Sequence, residues 1–476
     1  MFSWMEETDL AFAGIAEQAR LLRAGEIKSA ELVSLYLSRI ERINPRLNAF
    51  TDVFAEQALA DAAAADERIA AGEELPLLGV PVAFKDELDI EGMVAEHGTR
   101  AYGGPAATAD AAHWARLKAA GAVLLAKTTL PELAIVGFTE TETYGETRNP
   151  WDPSRTTGGS SGGSGAAVAA GLVGAASASD GGGSIRIPAA NCGLFGLKPQ
   201  VGRVSLSPDP EHWLGLTSSG CLSRRVADTA LWLDVAAGPA PGDLHEAAPI
   251  EGTFGEAAAR EPGRLRICWS TSAARAVAPP YRDANVDGAV AELAQRLTGL
   301  GHSVEQRDPD WGMVGTDFSN LYLKGIEVDY DRVPHPERLD SRTRGFKRLA
   351  RLIPGPLLKR SLDARDKHRA RIGAIFGDFD VLITPTVALP AVEIGRWAGQ
   401  GALRTLIGMS RVYPHTVPWN YLGNPAASIP IGRTPEGLPL AAQLISAPSR
   451  EDVLLSLASQ LEADFGWADQ RPALAA

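Results

Sequence analysis

Cysteine is scarce in this chain, with three residues, Cys192, Cys221 and Cys268, in a length of 476. Three thiols cannot build a disulfide framework, and none stands in a CxxC or Cys/His ligand spacing, which removes a disulfide scaffold and a structural zinc site from consideration. A reducing cytoplasm suits that usage. Excess apolar character is also missing: hydrophobic residues make up 45% of the chain and the mean hydropathy is -0.06, which provides for a core but not for a membrane span. The opening MFSWMEETDLAFAGIAEQ lacks a basic region, apolar core and small-residue cleavage site in succession, so no secretory signal is expected. Positive charge is in deficit. Lysine plus arginine is 46 against 58 for aspartate plus glutamate, a net charge of -12, which argues against a surface that tracks nucleic-acid phosphates. There is no GxxxxGK[ST] phosphate loop, no GxGxxG after a strand and no repeat of fixed period, and Ser184, followed by Ile185 and Arg186, does not stand in a GxSxG elbow.

What is present is an alternation of helical and strand patterns. From Thr8 to about Ala71 apolar positions recur at three- and four-residue steps, as in Leu32, Leu35, Tyr36 and Ile40, with Ser29 placed to cap, and predict three helices. The run Leu78 to Phe84 reads as a buried strand, Asp110 to Ala120 as a helix and Ala122 to Ala126 as another strand. The class is α/β, with a sheet covered by helices. Glycine-rich Thr156 to Gly165 has the composition of a linker, yet an ordered-looking turn, Asn149 to Pro153, precedes it and a helix-length run, Ala166 to Val173, follows it. Strands are expected again at Asp380 to Pro385, Ala427 to Ile431 and Leu440 to Ile445, and a last helix at Glu451 to Phe465. The expected organisation is one domain over 1–476: N-terminal helices in 1–75, a core in 76–260, a helical elaboration in 261–376, and strands and a helix completing the core in 377–476.

Two serines stand in glycine-walled settings, Ser160 in GGSSGG and Ser184 in DGGGSIRIP. Glycine lets backbone N–H groups approach a bound atom closely, so Gly181, Gly182 and Gly183 can form a nest of donors suited to the oxyanion of an attacked carbonyl. Ser184 is then the nucleophile. It needs a base, and the histidines are scattered without an arrangement that supplies one. Lys85 follows the apolar run GVPVAF, where burial disfavours the ammonium and lowers its pKa. With Ser160 as a bridge, the relay would run from Ser184 to Ser160 to Lys85.

These residues resemble the amidase signature family of serine hydrolases. Gly158 to Ala189 (GGSSGGSGAAVAAGLVGAASASDGGGSIRIPA) is similar to the family signature position by position. Further likeness lies in GVPVAFKD from Gly79, GAVLLAKTTLPEL from Gly121, TRNPWD from Thr147, GLFGLKPQVGRV from Gly193, the Asp380 to Pro385 strand and Gly437 to Pro439. It is weakest from about 205 to 375. The resemblance implies the amidase signature fold, a large mixed central sheet covered on both faces by helices. It also implies a Ser-cisSer-Lys triad with Ser184 as nucleophile, Ser160 in a cis peptide as proton bridge and Lys85 as base. Main-chain N–H groups of Gly181, Gly182, Gly183 and Ser184 would form the oxyanion hole, and Asp180 and Arg186 would brace the loop. Ser161 is assigned a supporting hydrogen bond within it. Gly181 departs from the threonine or isoleucine of many relatives.

The family's acyl pocket maps here to Ile135, Val136, Gly137 and Phe138, with Trp213, Leu214, Leu216, Trp419 and Tyr421 from variable segments. This largely apolar set suggests a neutral, hydrophobic or aryl amide, with carbamates and esters as related substrates. The resemblance implies no metal and no cofactor, and a homodimer is a common state for such enzymes. Two other readings are a glutaminase subunit of a tRNA-dependent amidotransferase and a non-catalytic binding protein on the same scaffold. The first calls for a charged clamp that the sequence does not display, and the second is opposed by intact Lys85, Ser160 and Ser184.

Overall fold

The computed structural model describes residues 7–475. The first strands are β1 (Phe50–Val53), β2 (Pro81–Lys85), β3 (Val123–Thr128), β4 (Glu140–Thr141), β5 (Gly145–Glu146) and β6 (Ala175–Asp180). After them come β7 (Gly196–Lys198), β8 (Ser218–Ser223), β9 (Arg266–Trp269), β10 (Ser303–Gln306), β11 (Val381–Pro385), β12 (Ala426–Arg433) and β13 (Pro439–Ser446). Two mixed sheets dominate, in the orders β1-β3-β2-β6-β8 and β10-β9-β11-β13-β12-β7, while β4 and β5 form a small hairpin. The expected single large sheet is therefore two hydrogen-bonded runs. They meet at one bridge, where the Phe195 and Ser223 N–H groups donate to each other's carbonyls at 3.0 and 3.2 Å.

The parallel centre of the first sheet explains its sequence. β2 pairs in parallel with both β3 and β6, and all its residues are buried, so it reads as a continuous apolar run instead of alternating. Its polar end, Lys85, lies opposite Thr128 in register. β6 (AASASD) and β8 (SSGCLS) carry almost no β-branched or aromatic residues, which is why their composition does not announce strands. Small side chains there let the helix Gly162–Ala169 pack on β6.

Helices cover both sheets. Ser29–Ile43 buries Leu32, Val33, Tyr36, Ile40 and Ile43 on one face, and its buried Arg39 donates to the carbonyls of Ala170, Gly171 and Ala475. The N-terminal region holds four helices, not three, with β1 among them, because Gly14 breaks the first apolar pattern at φ 84°. The stretch 261–376, expected to be helical, also contributes β9 and β10 to the sheet edge, since short Arg266–Trp269 has only Ile267 and Cys268 as buried apolar residues. One hydrophobic cluster fills the space around the first sheet and the C-terminal helix. A second gathers beneath the helices Val314–Arg332, Ser341–Ala350 and Ala402–Val412. Among the described residues no helix is long and apolar enough to cross a membrane.

Candidate active site

Lys85 ends β2 at the carboxyl edge of the parallel strands, where open α/β sheets place their sites. Its side chain is fully buried. Its Nζ donates to Ser160 Oγ at 2.8 Å and Ser179 Oγ at 2.8 Å, and lies 2.9 Å from Glu87 Oε2. The Lys85 N–H donates to Ser177 Oγ at 2.8 Å, fixing the strand end against β6. Burial lowers the lysine pKa from its ordinary value, and the carboxylates of Glu87 and Asp180 oppose that fall.

Ser160 is buried and follows a cis peptide bond from Gly159. The glycine-rich segment around it is no linker, because the next residues sit against neighbouring backbone. A Cβ on Gly163 would lie 2.4 Å from the Thr129 nitrogen, and one on Gly162 would lie 2.1 Å from Thr139 Oγ1. Ser161 donates from its N–H to the Ser184 carbonyl at 3.4 Å and from its hydroxyl to the Ser179 carbonyl at 3.3 Å, tying the two serine loops together.

The loop from Asp180 to Arg186 is held by a buried ion pair. Arg186 Nε donates to Asp180 Oδ2 at 2.9 Å and Nη2 to Oδ1 at 2.8 Å, a bidentate fork. The guanidinium also reaches the Thr416 carbonyl, Gln443 and Asn420, and Asn420 Nδ2 donates back to Asp180. Burial opposes the Asp180 charge, but Arg186 outweighs it and holds the pKa at about 2. Asp180 therefore remains an acceptor for the loop's own N–H groups, Gly183 at 2.7 Å, Ile185 at 3.2 Å and Arg186 at 3.4 Å.

That arrangement corrects one assignment. The Gly183 N–H is committed to Asp180 and is not free for an oxyanion. The N–H groups of Gly181, Gly182 and Ser184 have no partner among the described residues. Gly183 is required for its backbone: φ is 126°, and a Cβ would lie 2.6 Å from Thr416 Oγ1.

Two cavities open on Ser184. An apolar one is lined by Ile135, Val136, Gly137, Ile187, Trp213, Phe318, Tyr322, Leu406, Met409, Tyr413 and Val417. A second, more polar than the first, contains Ser160, Ser179, Gly181, Glu87, His97, Tyr102, Asp209, His212, Asp329 and Arg332 beside the apolar Leu88, Leu133, Leu206 and Trp213, and is called the polar cavity below. In the polar cavity His212 Nε2 lies 3.1 Å from Asp329 Oδ2; burial works against the imidazolium, but Asp329 overrides it and raises the His212 pKa.

Of the proposed pocket residues, Ile135, Val136, Gly137 and Trp213 line the apolar cavity. Phe138 does not: it stacks on Trp397 at a centroid distance of 4.6 Å, inside the core. Tyr421 is also turned away, with its hydroxyl donating to the Ser361 carbonyl and its ring edge-on to His368. Leu214 borders neither cavity, and its carbonyl accepts from Arg365. Leu216 and Trp419 are core residues as well, Trp419 packing against Trp311 and Phe376. Missing from the sequence-based set are Phe318 and Tyr322, one turn apart on Val314–Arg332, and Leu406, Met409 and Tyr413. A period of four was available for the first two, but any buried helix face has that period.

Comparison with known proteins places the chain in a family. The amidase family model matches residues 31–455. A Mycobacterium tuberculosis (strain ATCC 25618 / H37Rv) protein that bears an amidase name, AmiB2, is 45% identical over 473 residues, covering 99% of this chain and 100% of the relative. The structure of 6-aminohexanoate cyclic dimer hydrolase superposes with a TM-score of 0.86 at 32% identity, covering 98% of this chain and 99% of that one. A bacterial aryl acylamidase of the amidase signature enzymes matches with a TM-score of 0.85 at 26% identity, over 96% and 99% of the two chains. The chain belongs to the amidase family, the amidase signature hydrolases.

Proposed function

We propose that this amidase hydrolyses a neutral amide with an apolar acyl group through an acyl-enzyme on Ser184, using Ser160 and Lys85 as its proton relay. The observation that carries the reading is the 2.8 Å contact from Lys85 Nζ to Ser160 Oγ, with Ser160 and Ser184 in one cavity. Neutral Lys85 accepts the Ser160 proton while Ser160 takes that of Ser184, and Ser184 Oγ attacks the amide carbonyl carbon. Negative charge develops on the carbonyl oxygen, and the N–H groups of Gly181, Gly182 and Ser184, which have no partner among the described residues, are its proposed donors. When the C–N bond breaks, the proton returns through Ser160 to the leaving nitrogen. Water then attacks the ester, delivers a proton to the same relay, and the acid departs as Ser184 recovers its hydrogen.

The apolar cavity favours this substrate class over glutamine. The α-ammonium and carboxylate of glutamine would meet Ile135, Phe318, Leu406 and Val417 there, without a counter-charge. Aryl amides, carbamates and esters with the same acyl character fit the same scheme.

The test is hydrolysis of an anilide, an aliphatic primary amide, an aryl carbamate and glutamine by wild type, Ser184→Ala and Lys85→Ala. Turnover of the apolar members that both substitutions abolish is the expected result. Turnover of glutamine alone, or activity that survives Ser184→Ala, overturns the proposal.

A further inference from the structure

One large side chain is shared by the two cavities at Ser184. Trp213 lines both of them, together with Ala134 and Ser184 itself. Its position is fixed from several directions: the indole Nε1 donates to Asp329 Oδ2 at 2.5 Å, the His212 ring stacks at 5.1 Å, and Tyr322 meets it edge-on at 5.3 Å. The backbone is held in the left-handed region at Trp213 (φ 50°) and Leu214 (φ 56°), a conformation that bulky residues adopt only when their surroundings enforce it.

Two glycines are cut to the shape of this indole. A Cβ on Gly181 would lie 2.7 Å from Trp213 Cε3, and one on Gly325 would lie 2.6 Å from Trp213 Cγ. Gly181 is not among the residues with positive φ, so its backbone would accept a side chain. What excludes one is the indole. Gly325 sits inside the helix Val314–Arg332, where glycine weakens the helix unless a neighbour needs the space. The glycine at 181 and the tryptophan at 213 thus form one device.

We infer that Trp213 is a specificity-determining partition, and that the substrate is an amide whose acyl half is apolar and whose amine half is polar. The inference rests on the relay proposed above, which assigns the sides. Ser160 returns the proton to the leaving nitrogen, and Ser160 lines only the polar cavity. The amine half therefore lies among Glu87, His97, Asp209, His212, Asp329 and Arg332, where hydroxyl or amide groups find partners. The acyl half lies against Ile135, Val136, Phe318, Leu406 and Met409. Gly181 borders the polar cavity and Gly182 the apolar one, so the oxyanion donors straddle the divide.

The test compares N-decanoylethanolamine with N-acetylhexylamine, whose halves are exchanged in polarity. Wild type should favour the first by roughly 100-fold in kcat/KM, a ratio within reach of a few buried methylenes. Trp213→Ala should compress that ratio to below about tenfold, and Trp213→Phe should retain most of it. Gly181→Ala, which forces the indole to move, should compress it as well. An unchanged ratio in Trp213→Ala and Gly181→Ala, or a wild-type preference for N-acetylhexylamine, overturns the partition. Decanamide binding to Ser184→Ala separates this claim from the hydrolytic one. Loss of roughly tenfold in affinity on adding Trp213→Ala supports the partition even if wild type turns over neither amide, an outcome that would count against the relay alone. Equal or tighter binding after that addition overturns the partition.

Discussion

At the scale of single residues, the proposed relay depends on a buried lysine acting in its neutral form. Burial lowers the Lys85 pKa while Glu87, in contact at 2.9 Å, and Asp180 raise it. Since only neutral Lys85 can take a proton, the rate should fall as pH drops through its pKa, giving an acid limb that belongs to the lysine. Activity that stays flat down to pH 5 would contradict this. Removing the Glu87 charge in Glu87→Gln leaves burial less opposed, so the acid limb should move to lower pH in a kcat/KM profile; His97 and His212, which share the cavity with Glu87, remain in place. A limb that stays put or moves upward would show that Glu87 does not set the base. Truncating Asp180 is a different kind of change. Asp180→Ala strands the Arg186 charge in the core, and loss of one partner of a buried pair costs about 3–5 kcal/mol, so denaturant midpoints should fall sharply. The three residues of the proposed relay could be singled out in sequence because glycine-walled serines and a lysine closing an apolar strand are unusual locally. The Gly183 donor was misassigned, because nothing in GGGS reveals that Asp180, three residues earlier, captures that N–H.

At the scale of elements, the junction between the helices Ile15–Arg23 and Val226–Ala236 carries a charge problem. Ala16 N–H donates to Asp228 Oδ1 at 2.9 Å, so this carboxyl caps a helix that has no side-chain cap of its own. Burial raises the Asp228 pKa to about 7, and Oδ2 has no partner. A folded-state pKa above the unfolded one means that the proton is held more tightly in the native state. The stabilisation is fully present below about pH 4 and is lost as pH rises through about 7. Asp228→Asn, which keeps an oxygen for Ala16 and cannot ionise, should flatten the decline in Tm between pH 5 and 8; an undiminished decline would refute the assignment. Helices and apolar strands were readable from periodicity and from runs such as GVPVAF. β6 and β8 were not, since their small residues are selected by the helix above and the serines beside Lys85, which is tertiary information.

At the scale of the whole molecule, the site is assembled from parts far apart in the chain. Of the proposed relay, Lys85 ends a strand of the first sheet and Ser160 and Ser184 lie in loops before and after its β6, whereas much of the apolar cavity comes from Val314–Arg332 and Ala402–Val412, in or beyond the region where the family likeness is weakest. Family membership therefore announced an amidase, and the cavity walls had to be read from the packing. Phe138 and Tyr421 lie near the right segments but are turned into the core by Trp397 and by the Ser361 carbonyl, contacts with no trace in local sequence. The C-terminal helix is joined to the core by the buried Arg203–Glu451 bridge at 3.0 Å. Glu451→Ala, which leaves Arg203 unpaired, should lower the unfolding midpoint without altering the position of the acid limb.

The most direct measurement is mass spectrometry of the enzyme quenched during turnover of an apolar amide or ester, followed by digestion to the peptide that carries Ser184. The account predicts the acyl mass on Ser184, absent from Ser184→Ala and reduced in Lys85→Ala. An acyl group on another residue, or undiminished turnover by Ser184→Ala, would contradict it.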